Sequence, residues 1–283
     1  MTTATCEPQG FVVERRGDHA FAALKDAIAQ CTICNGTGLT LSQVTDGGRT
    51  YDVSAPCARS KLTARMRRFN QAHIPAALAH ADIEGYRPAR DEQARAKAAA
   101  REFAFLWPKQ RGFMLSGPVG TGKSHLLAGA LRVLTLEHGA ACAYVEMSLL
   151  YAQIRRGFQD GKSGGEIIGP LAQVDVLAID ELGKGRGSPF ELETLDELIA
   201  RRYNAGRTTL FATNYSLRPP EQKSTGYLST DDAKEAGRES KLLCDRVGER
   251  IYSRLCEMCD FIEFPGDTPD LRRSRPRPET ARR

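Results

Sequence analysis

From about residue 111 onward, short apolar runs alternate with longer amphipathic segments. Five of the runs are rich in Val, Ile, Leu, Ala and Phe, as buried strands are, and they lie at 111–117, 141–147, 174–180, 208–214 and 260–264. The segments between them carry Leu, Ile and Ala at helical spacing and end at glycine, so they predict helices. This alternation predicts an α/β fold, with a parallel sheet covered by helices on both faces.

The residues before this core have a different pattern. Residues 91–107 predict one helix that packs Phe103, Phe105 and Leu106, and the turn Gly-Tyr-Arg-Pro ahead of it indicates a domain boundary. A cysteine cluster, glycine-rich turns and a basic stretch precede that turn, and arginines crowd the C-terminal end. The pattern predicts three regions: a small N-terminal module at 1–85, the α/β core at 86–273 and a basic, disordered tail at 274–283.

The composition is that of a soluble globular protein. The chain has 283 residues, 41% of them hydrophobic and 27% charged, and its apolar runs are far shorter than the ~20 residues that span a bilayer. The first residues mix acids and bases where a signal peptide needs an apolar stretch, so we expect a cytoplasmic protein. In that compartment the eight cysteines are better interpreted as thiols or metal ligands than as disulfides.

The distribution of charge is more informative than its total. The net charge of +5 permits a nucleic-acid partner without demonstrating one. The stretch 59–70 carries basic side chains and no acid, and these are Arg59, Lys61, Arg65, Arg67 and Arg68. This stretch and the arginine-rich tail suit either a solvated linker and tail or contact with a phosphate backbone.

Residues 117–124, Gly-Pro-Val-Gly-Thr-Gly-Lys-Ser, match the phosphate-binding loop pattern G-x-x-x-x-G-K-[ST]. The match lies between a predicted strand and a predicted helix, where the glycines turn backbone N–H groups inward and the helix presents its N-terminal dipole to the same anion. Lys123 is expected to bind the β- and γ-phosphates and Ser124 to bind Mg²⁺. The predicted nucleotide contacts are Gly117, Pro118, Val119, Gly120, Thr121, Gly122, Lys123 and Ser124.

Polar residues follow other apolar runs. Asp180 and Glu181 end one predicted strand, at the sheet edge where ligands bind; we expect Asp180 to hold Mg²⁺ and Glu181 to orient or deprotonate the attacking water. Asn214 is expected to bind the γ-phosphate and the water, although an asparagine there also suits a turn. Arg250 and Arg254 share one face of a predicted helix, which suits a solvated basic face or an arginine that reaches a neighbouring subunit's γ-phosphate.

The motifs GPVGTGKS, LAIDELG, LFATN and RIYSRLCEMCDFIEF, in this order and spacing, resemble the ATPase core of the bacterial DnaC/DnaI helicase-loader family, which also includes the transposition helper ATPase IstB. The resemblance covers roughly residues 75–273. It implies an AAA+ fold with a five-stranded parallel sheet and no helical lid, ATP and Mg²⁺ as cofactors, and hydrolysis at subunit interfaces. It also implies Walker B roles for Asp180 and Glu181, a sensor 1 role for Asn214, an arginine finger at Arg254 and a sensor-2-like role for Arg272.

The resemblance further implies an extra helical element after the second strand of the core, lining a channel for single-stranded DNA. The matching segment is LLYAQIRRGFQDGKSGGE. In it, Arg155 or Arg156 suits contact with phosphate and Phe158 suits stacking on a base. Phe190, in the loop after the Walker B carboxylates, is a second stacking candidate. Either phenylalanine also suits a place in the core.

Cys31, Cys34 and Cys57 resemble the start of the zinc ribbon found in many members of that family. Zinc is favoured because a C-x-x-C turn brings two thiolates to one tetrahedral edge. The family's fourth cysteine is replaced here by Arg59. A closed zinc site therefore needs a fourth ligand from Cys6, His19 or His73, or else the site is degenerate. Cys256 and Cys259 form another C-x-x-C pair, which we interpret as core thiols.

Three functions fit this sequence. A helicase loader docks its N-terminal module on a DnaB-type replicative hexameric helicase, grips single-stranded DNA and self-associates through the ATPase core. An IstB-like transposition helper uses the same ATPase on duplex DNA. A nucleotide-switched adaptor binds ATP with negligible turnover, which Glu181 argues against. The cysteine knuckle favours the loader, since IstB-type chains usually begin with a helical segment without such cysteines.

Overall fold

A computed structural model of the chain describes residues 10–25, 34, 37, 39–108, 111–217 and 241–272, apart from the side chains of residues 58 and 59. Within these ranges the strands are β1 (Phe11–Arg16), β2 (His19–Leu24), β3 (Leu39–Asp46), β4 (Arg49–Pro56), β5 (Gly112–Ser116), β6 (Cys142–Glu146), β7 (Val176–Asp180), β8 (Thr208–Thr213) and β9 (Cys259–Glu263). The helices are α1 (Ala58–Gln71), α2 (Asp91–Phe105), α3 (Lys123–Val133), α4 (Met147–Gln159), α5 (Gly164–Gln173), α6 (Pro189–Asn204), α7 (Leu243–Val247) and α8 (Glu249–Met258).

Strands β5 to β9 form one parallel sheet in the order β6-β7-β8-β5-β9. They coincide with the five predicted strands, so the predicted α/β fold with a five-stranded parallel sheet is confirmed. Strands inside such a sheet are covered on both faces, and every residue of β5, β7 and β8 is buried accordingly. The carboxyl ends of all five strands meet at one edge of the sheet.

Helices cover both faces of the sheet. One buried cluster joins α2 and α3 to the first face, and Phe103 and Leu127 belong to it. A second cluster joins α4, α5, α6 and α8 to the other face, and Leu198 and Leu255 belong to it. The two clusters hold the sheet in place from both sides, so the strand ends that carry the polar motifs are anchored in a continuous packed core.

The prediction for α2 was wrong at its C-terminal end. Phe103 is buried, but Phe105 is 38% exposed and Leu106 is 61% exposed. The buried face of α2 follows the helical period through Ala96, Ala100 and Phe103. Phe105, two positions beyond Phe103, is rotated away from that face. Leu106 lies past the last residue of α2, as its C-cap residue, and leaves the helical path there.

Three of the elements before residue 85, β1, β2 and α1, pack against the five-stranded sheet and its helices. Phe11 of β1, Ala22 of β2 and Phe69 of α1 belong to the same buried cluster as α3, and the N–H of Tyr144 donates to the carbonyl of Ala72 at 2.8 Å. The first predicted boundary thus falls between elements that share a core, and the division into 1–85, 86–273 and 274–283 stays a prediction.

After β9, residues 264–272 form turns that return to the phosphate-binding loop, where the N–H of Leu271 donates to the carbonyl of Gly120 at 2.9 Å. These are the last residues described, so the expectation of a missing helical lid stays a prediction for the chain beyond them. The tail at 274–283 lies outside the described residues. None of the described helices combines the length and apolarity that a membrane span needs.

Candidate nucleotide-binding site

The carboxyl ends of the central strands open onto a cavity of about 800 Å³, a size typical of small-molecule sites. Nine of the residues singled out in the sequence line it: Val119, Gly120, Gly122, Lys123, Ser124, Asp180, Glu181, Asn214 and Arg272. The fold thus brings together the glycine-rich loop, both carboxylates, the amide after β8 and the arginine after β9.

The glycine-rich loop lies between β5 and α3 and needs glycine for two reasons. Gly120 and Gly122 have φ values of +82° and +97°, which other residues rarely adopt. A Cβ at Gly122 would lie 2.3 Å from the ring of Tyr86, and a Cβ at Gly120 would lie 1.9 Å from the carboxylate of Asp270. The loop therefore fits closely under the segments that precede α2 and follow β9.

Lys123, at the start of α3, is held by the loop itself. Its Nζ donates to the carbonyls of Gly117 and Pro118, each at 2.7 Å. Burial lowers the pKa of Lys123 to about 8, although Asp180 and Glu181 act to raise it, and Arg272 lowers it further. An amine in this state gains from a bound phosphate, because the anion offsets the cost of burying its charge.

Asp180 is 8% exposed and lies within a polar network. One carboxylate oxygen accepts from the Tyr144 hydroxyl at 2.5 Å and the other from the N–H of Glu181 at 2.9 Å. Burial and the Asp180 charge raise the pKa of Tyr144 well above its ordinary value. Carboxylate and hydroxyl oxygens are the ligands that Mg²⁺ prefers, so Asp180 and Ser124 fit a magnesium ion.

Glu181 has a φ of +54°, a conformation that costs free energy in a residue with a side chain. Its carboxylate accepts from Lys184 Nζ, which also lies 3.7 Å from the Glu146 carboxylate. Burial, and after it Glu146, raises the pKa of Glu181 against the opposing effect of Lys184. Ser148 donates to Glu146 at 2.6 Å. Hence two carboxylates share one ammonium group, and one of them, Glu181, lines the cavity.

The turn that carries Glu181 is fixed to the neighbouring strand β8. The N–H of Leu182 donates to the carbonyl of Ala212 at 2.9 Å, and the Thr213 hydroxyl donates to the carbonyl of Leu182 at 2.7 Å. Asn214 follows Thr213 directly, is exposed and lines the cavity. The carboxyl ends of β7 and β8 are therefore held at a fixed separation beside the phosphate-binding loop.

The segment before α2 closes the other end of the cavity. The Tyr86 hydroxyl donates to the carbonyl of Thr121 at 2.6 Å, and Gln93 Nε2 donates to the same carbonyl at 3.1 Å. Burial raises the pKa of Tyr86 to about 12, so this donor stays protonated. His80 and His125 line the cavity beside it, with ring centroids 5.7 Å apart. This end offers aromatic surface, while the loop end offers N–H groups and charge.

Arg254 does not line the cavity. Its guanidinium donates to Asp196 of α6 at 2.6 Å and is 19% exposed, whereas Arg250, one turn earlier, is 74% exposed and 3.7 Å from the same carboxylate. Both lie on α8. Within one chain these arginines and the cavity are therefore separate, and a role for Arg254 in the site requires a second copy of the chain.

The residues predicted to contact DNA lie together, but only those on α4 are exposed, whereas Phe190 is half-buried and packs against the second core cluster. Arg155 and Phe158 of α4 meet Phe190 at the start of α6: the Arg155 guanidinium is 5.9 Å from the Phe190 ring centroid, and the two phenylalanine centroids are also 5.9 Å apart. Phe158 is 51% exposed, and Arg156 is exposed beside it. Phe158 is therefore not a core residue.

The structure gives the zinc prediction no support. Cys34 and Cys57 are buried, while Cys31 and Cys6 lie outside the described residues. Within the described ranges no three His, Cys, Asp or Glu side chains are grouped to hold a metal. His19 and His73, the other candidate ligands, contact each other with ring centroids 5.0 Å apart.

The sequence analysis missed several residues that lie in or beside the site: His80, Tyr86, His125, Tyr144, Glu146 and Lys184. Glu146 had a readable signal, because this carboxylate is the last residue but one of the predicted strand 141–147, close to the edge where Asp180 ends its own strand, and the two are paired in register. Tyr144 lies inside the apolar run and gives no such signal. The contact of Lys184 with the site depends on the conformation of the loop after β7, which the sequence alone does not predict.

A model of the IstB-like ATP binding protein family matches residues 55–224, which contain the phosphate-binding loop, both carboxylates and Asn214. The chain belongs to this family. Together with the cavity, this membership identifies the chain as an ATP-binding P-loop protein.

Relatives of known role share this core. The replicative helicase loader DnaC of Escherichia coli (strain K12) is 28% identical over 167 residues, which is 58% of this chain and 68% of that protein. The DnaC loader of Buchnera aphidicola subsp. Baizongia pistaciae is 26% identical over 163 residues, 56% of this chain and 66% of that protein.

Solved structures show the same fold. A crystal structure of the DnaC helicase loader superposes with a TM-score of 0.54 at 25% identity and covers 67% of this chain and 99% of that chain. A crystal structure of DnaI gives a TM-score of 0.50 at 20% identity over 69% of this chain and 93% of that chain. The predicted AAA+ core is therefore confirmed.

Proposed function

We propose that this protein is an ATP-dependent loader of a replicative hexameric helicase, which binds single-stranded DNA and hydrolyses ATP at subunit interfaces. The observation that carries the proposal is the exposed basic and aromatic surface of α4, at Arg155 and Phe158, which meets the half-buried Phe190 at the start of α6, the helix that follows the cavity residues Asp180 and Glu181. Similarity to DnaC loaders supports the partner class.

In hydrolysis, each residue of the cavity has a distinct role. Lys123 and the loop N–H groups bind the phosphates, and Ser124 with Asp180 would hold Mg²⁺, which supplies charge neutralisation on the phosphate oxygens when bound. Glu181 orients or deprotonates the attacking water. Asn214 and Arg272 reach the γ-phosphate side and stabilise charge there. The site is then complete except for a cation that approaches from outside the chain.

Arg254 supplies that cation from a neighbouring copy of the chain. In the free chain Asp196 neutralises it, so assembly must exchange a carboxylate for a γ-phosphate. Because Arg250 binds the same Asp196 from a more exposed position, it can keep Asp196 paired after Arg254 leaves. Hydrolysis is then coupled to self-association, as the position of α8 outside the cavity requires.

Single-stranded DNA contacts the surface formed by α4 and the start of α6. Arg155 and Arg156 are exposed and bind phosphates, while Phe158 offers a ring face on which a base stacks. Such contacts are independent of base identity, since every base has a π-face and every nucleotide a phosphate. The protein is accordingly expected to bind strands with little sequence preference.

The helicase contacts the β3–β4 hairpin. Its side chains are almost all exposed, and the pairing register places Leu39 and Leu41 on one face and Val44, Tyr51 and Val53 on the other. Leu41 is 75% exposed. An isolated two-stranded hairpin is marginally stable in water, so this hairpin gains stability from a partner that covers it. Grouped exposed apolar side chains mark contact surfaces, and the helicase is the partner that we assign to this one.

A pull-down of the purified replicative helicase from the same organism tests the proposal. The wild-type chain with ATP should retain the helicase, and the triple variant Leu41→Ser, Tyr51→Ser, Val53→Ser should lose it while keeping its unfolding temperature and nucleotide affinity. Leu106→Ser is the matched control, because Leu106 is 61% exposed on a different element. A wild-type chain that retains no helicase contradicts the loader role.

A second candidate is an IstB-like transposition helper, which the matching family model favours. This function needs duplex DNA in place of a single strand and a transposase in place of a helicase. Tight binding of duplex DNA, weak binding of a thymidine oligonucleotide and no retention of helicase would together select it.

A further inference from the structure

Lys184 lies in the short loop between β7 and α6 and bridges two carboxylates. Its Nζ donates to Oε2 of Glu181 and lies 3.7 Å from Oε1 of Glu146, while the Lys184 side chain remains 51% exposed. A carboxylate oxygen that accepts a charge-assisted hydrogen bond from an ammonium group is occupied and less basic. Oε2 of Glu181 is therefore not available to take a proton from water in this arrangement.

We propose that Lys184 is a positioning residue that withholds Glu181 from the attacking water and releases it when the loop of residues 183–190 moves. The proposal rests on the proposed function, in which Glu181 acts on the water. The interaction is well suited to a reversible hold, since an exposed ion pair contributes only about 0–1 kcal/mol and can be exchanged.

The loop is ordered by Glu191, the first acidic residue of α6. The Glu191 carboxylate is 6% exposed and accepts from the N–H groups of Arg186 at 2.7 Å and Gly187 at 3.0 Å. Gly185 passes so close that a Cβ there would lie 2.7 Å from the same carboxylate. The position of the loop, and with it that of Lys184, depends on Glu191.

Glu191 is in turn bound to the surface proposed for DNA. Nη1 of Arg155 lies 3.5 Å from Oε1 of Glu191, and Arg155 is 54% exposed. A phosphate that binds Arg155 competes with Glu191 for the same guanidinium and changes the balance of charge around the group that orders the loop. The strand-binding surface and the catalytic carboxylate are thereby joined through one segment, from Lys184 to Glu191.

Variants of Lys184 test the inference through steady-state ATP hydrolysis with and without a thymidine oligonucleotide. Lys184→Met removes the ammonium group and should raise basal kcat on the order of tenfold, within what a freed general base supplies. The KM for ATP should stay unchanged, because Lys184 touches no residue that binds phosphate. Stimulation by the oligonucleotide should disappear, since the hold is already absent.

Two controls separate this role from a structural one. Lys184→Arg keeps a cation between the two carboxylates and should retain the wild-type basal rate and stimulation. Arg201→Met removes a comparable exposed ion pair, Arg201–Glu197 at 2.7 Å on α6, and should change neither. Lys184→Gln is a second neutral variant and should behave as Lys184→Met does.

The inference is overturned if the Lys184→Met protein binds a fluorescent ATP analogue and unfolds as the wild type does, yet its basal rate of ATP hydrolysis is equal to or lower than that of the wild type. The proposed function fails in a different way: Glu181→Gln then hydrolyses ATP at the wild-type rate. A third outcome is that Lys184→Met raises the basal rate but the oligonucleotide does not stimulate the wild-type protein. That outcome supports the hold on Glu181 and rejects the link to DNA.

Discussion

The affinity for ATP should fall as the pH rises through the pKa of Lys123. Burial lowers that pKa from 10.5 to about 8 in the ATP-free chain. Bound phosphates favour the charged amine, so the complex keeps its proton to higher pH than the free chain does. The protonated chain is then the form that binds, and each unit of pH above 8 costs affinity.

The magnitude follows from the pKa of about 8. At pH 7.5 about three quarters of the free chain carries the proton, and at pH 9.0 about a tenth does. The apparent affinity should therefore drop about eightfold across this interval, or about 1 kcal/mol. Nearly one proton should be taken up per nucleotide bound at pH 9.0.

Fluorescence anisotropy of a labelled ATP analogue in EDTA measures the affinity, and calorimetry in two buffers of different ionisation enthalpy measures the proton uptake. Lys123→Arg is the control: a guanidinium stays charged throughout, so whatever the affinity of this variant, its pH dependence should be flat. A wild-type affinity that is constant from pH 7.5 to 9.0, without proton uptake, refutes the reasoning.

Two further variants test the network around the cavity and the core behind it. Tyr144→Phe removes the hydroxyl that donates to Asp180, and the Mg²⁺ concentration needed for half-maximal analogue binding should rise about tenfold. Arg202→Met removes a fully buried guanidinium that donates to the carbonyls of Leu171 and Val174. Its free energy of unfolding in urea should fall by about 3–5 kcal/mol. The adjacent, exposed Arg201→Met should change that free energy by less than about 1 kcal/mol.

The polar residues that line the cavity at the strand ends could be predicted because a parallel sheet gathers strand ends. Once 174–180 and 208–214 are identified as strands, Asp180 and Asn214 must lie at one edge beside Lys123. No such rule places Lys184, whose contact with Glu181 depends on the glycines and Glu191 that shape the following loop. Local spacing predicts the strand ends, and tertiary contacts decide what each side chain binds.

Helix faces show the same limit. The segment 91–107 was predicted as a helix from composition, but which apolar residues it buries is set by the phase of Ala96, Ala100 and Phe103 against α3. For Arg254 the spacing predicts the helix and not the partner, which is Asp196, far away in sequence.

In the free chain, the charged groups to which we assign a role in hydrolysis are bound within the protein. Lys123 donates to two loop carbonyls, Glu181 accepts from Lys184, and Arg254 binds Asp196. In the proposed function each group must exchange its partner before it can act, and each exchange has a different trigger: a phosphate for Lys123, movement of the 183–190 loop for Glu181 and a second subunit for Arg254. Because these exchanges draw on separate ligands, ATP alone satisfies only the first. If the proposed function holds, rapid hydrolysis therefore requires nucleotide, strand and neighbour together, which is the behaviour expected of an ATPase whose turnover reports completed assembly.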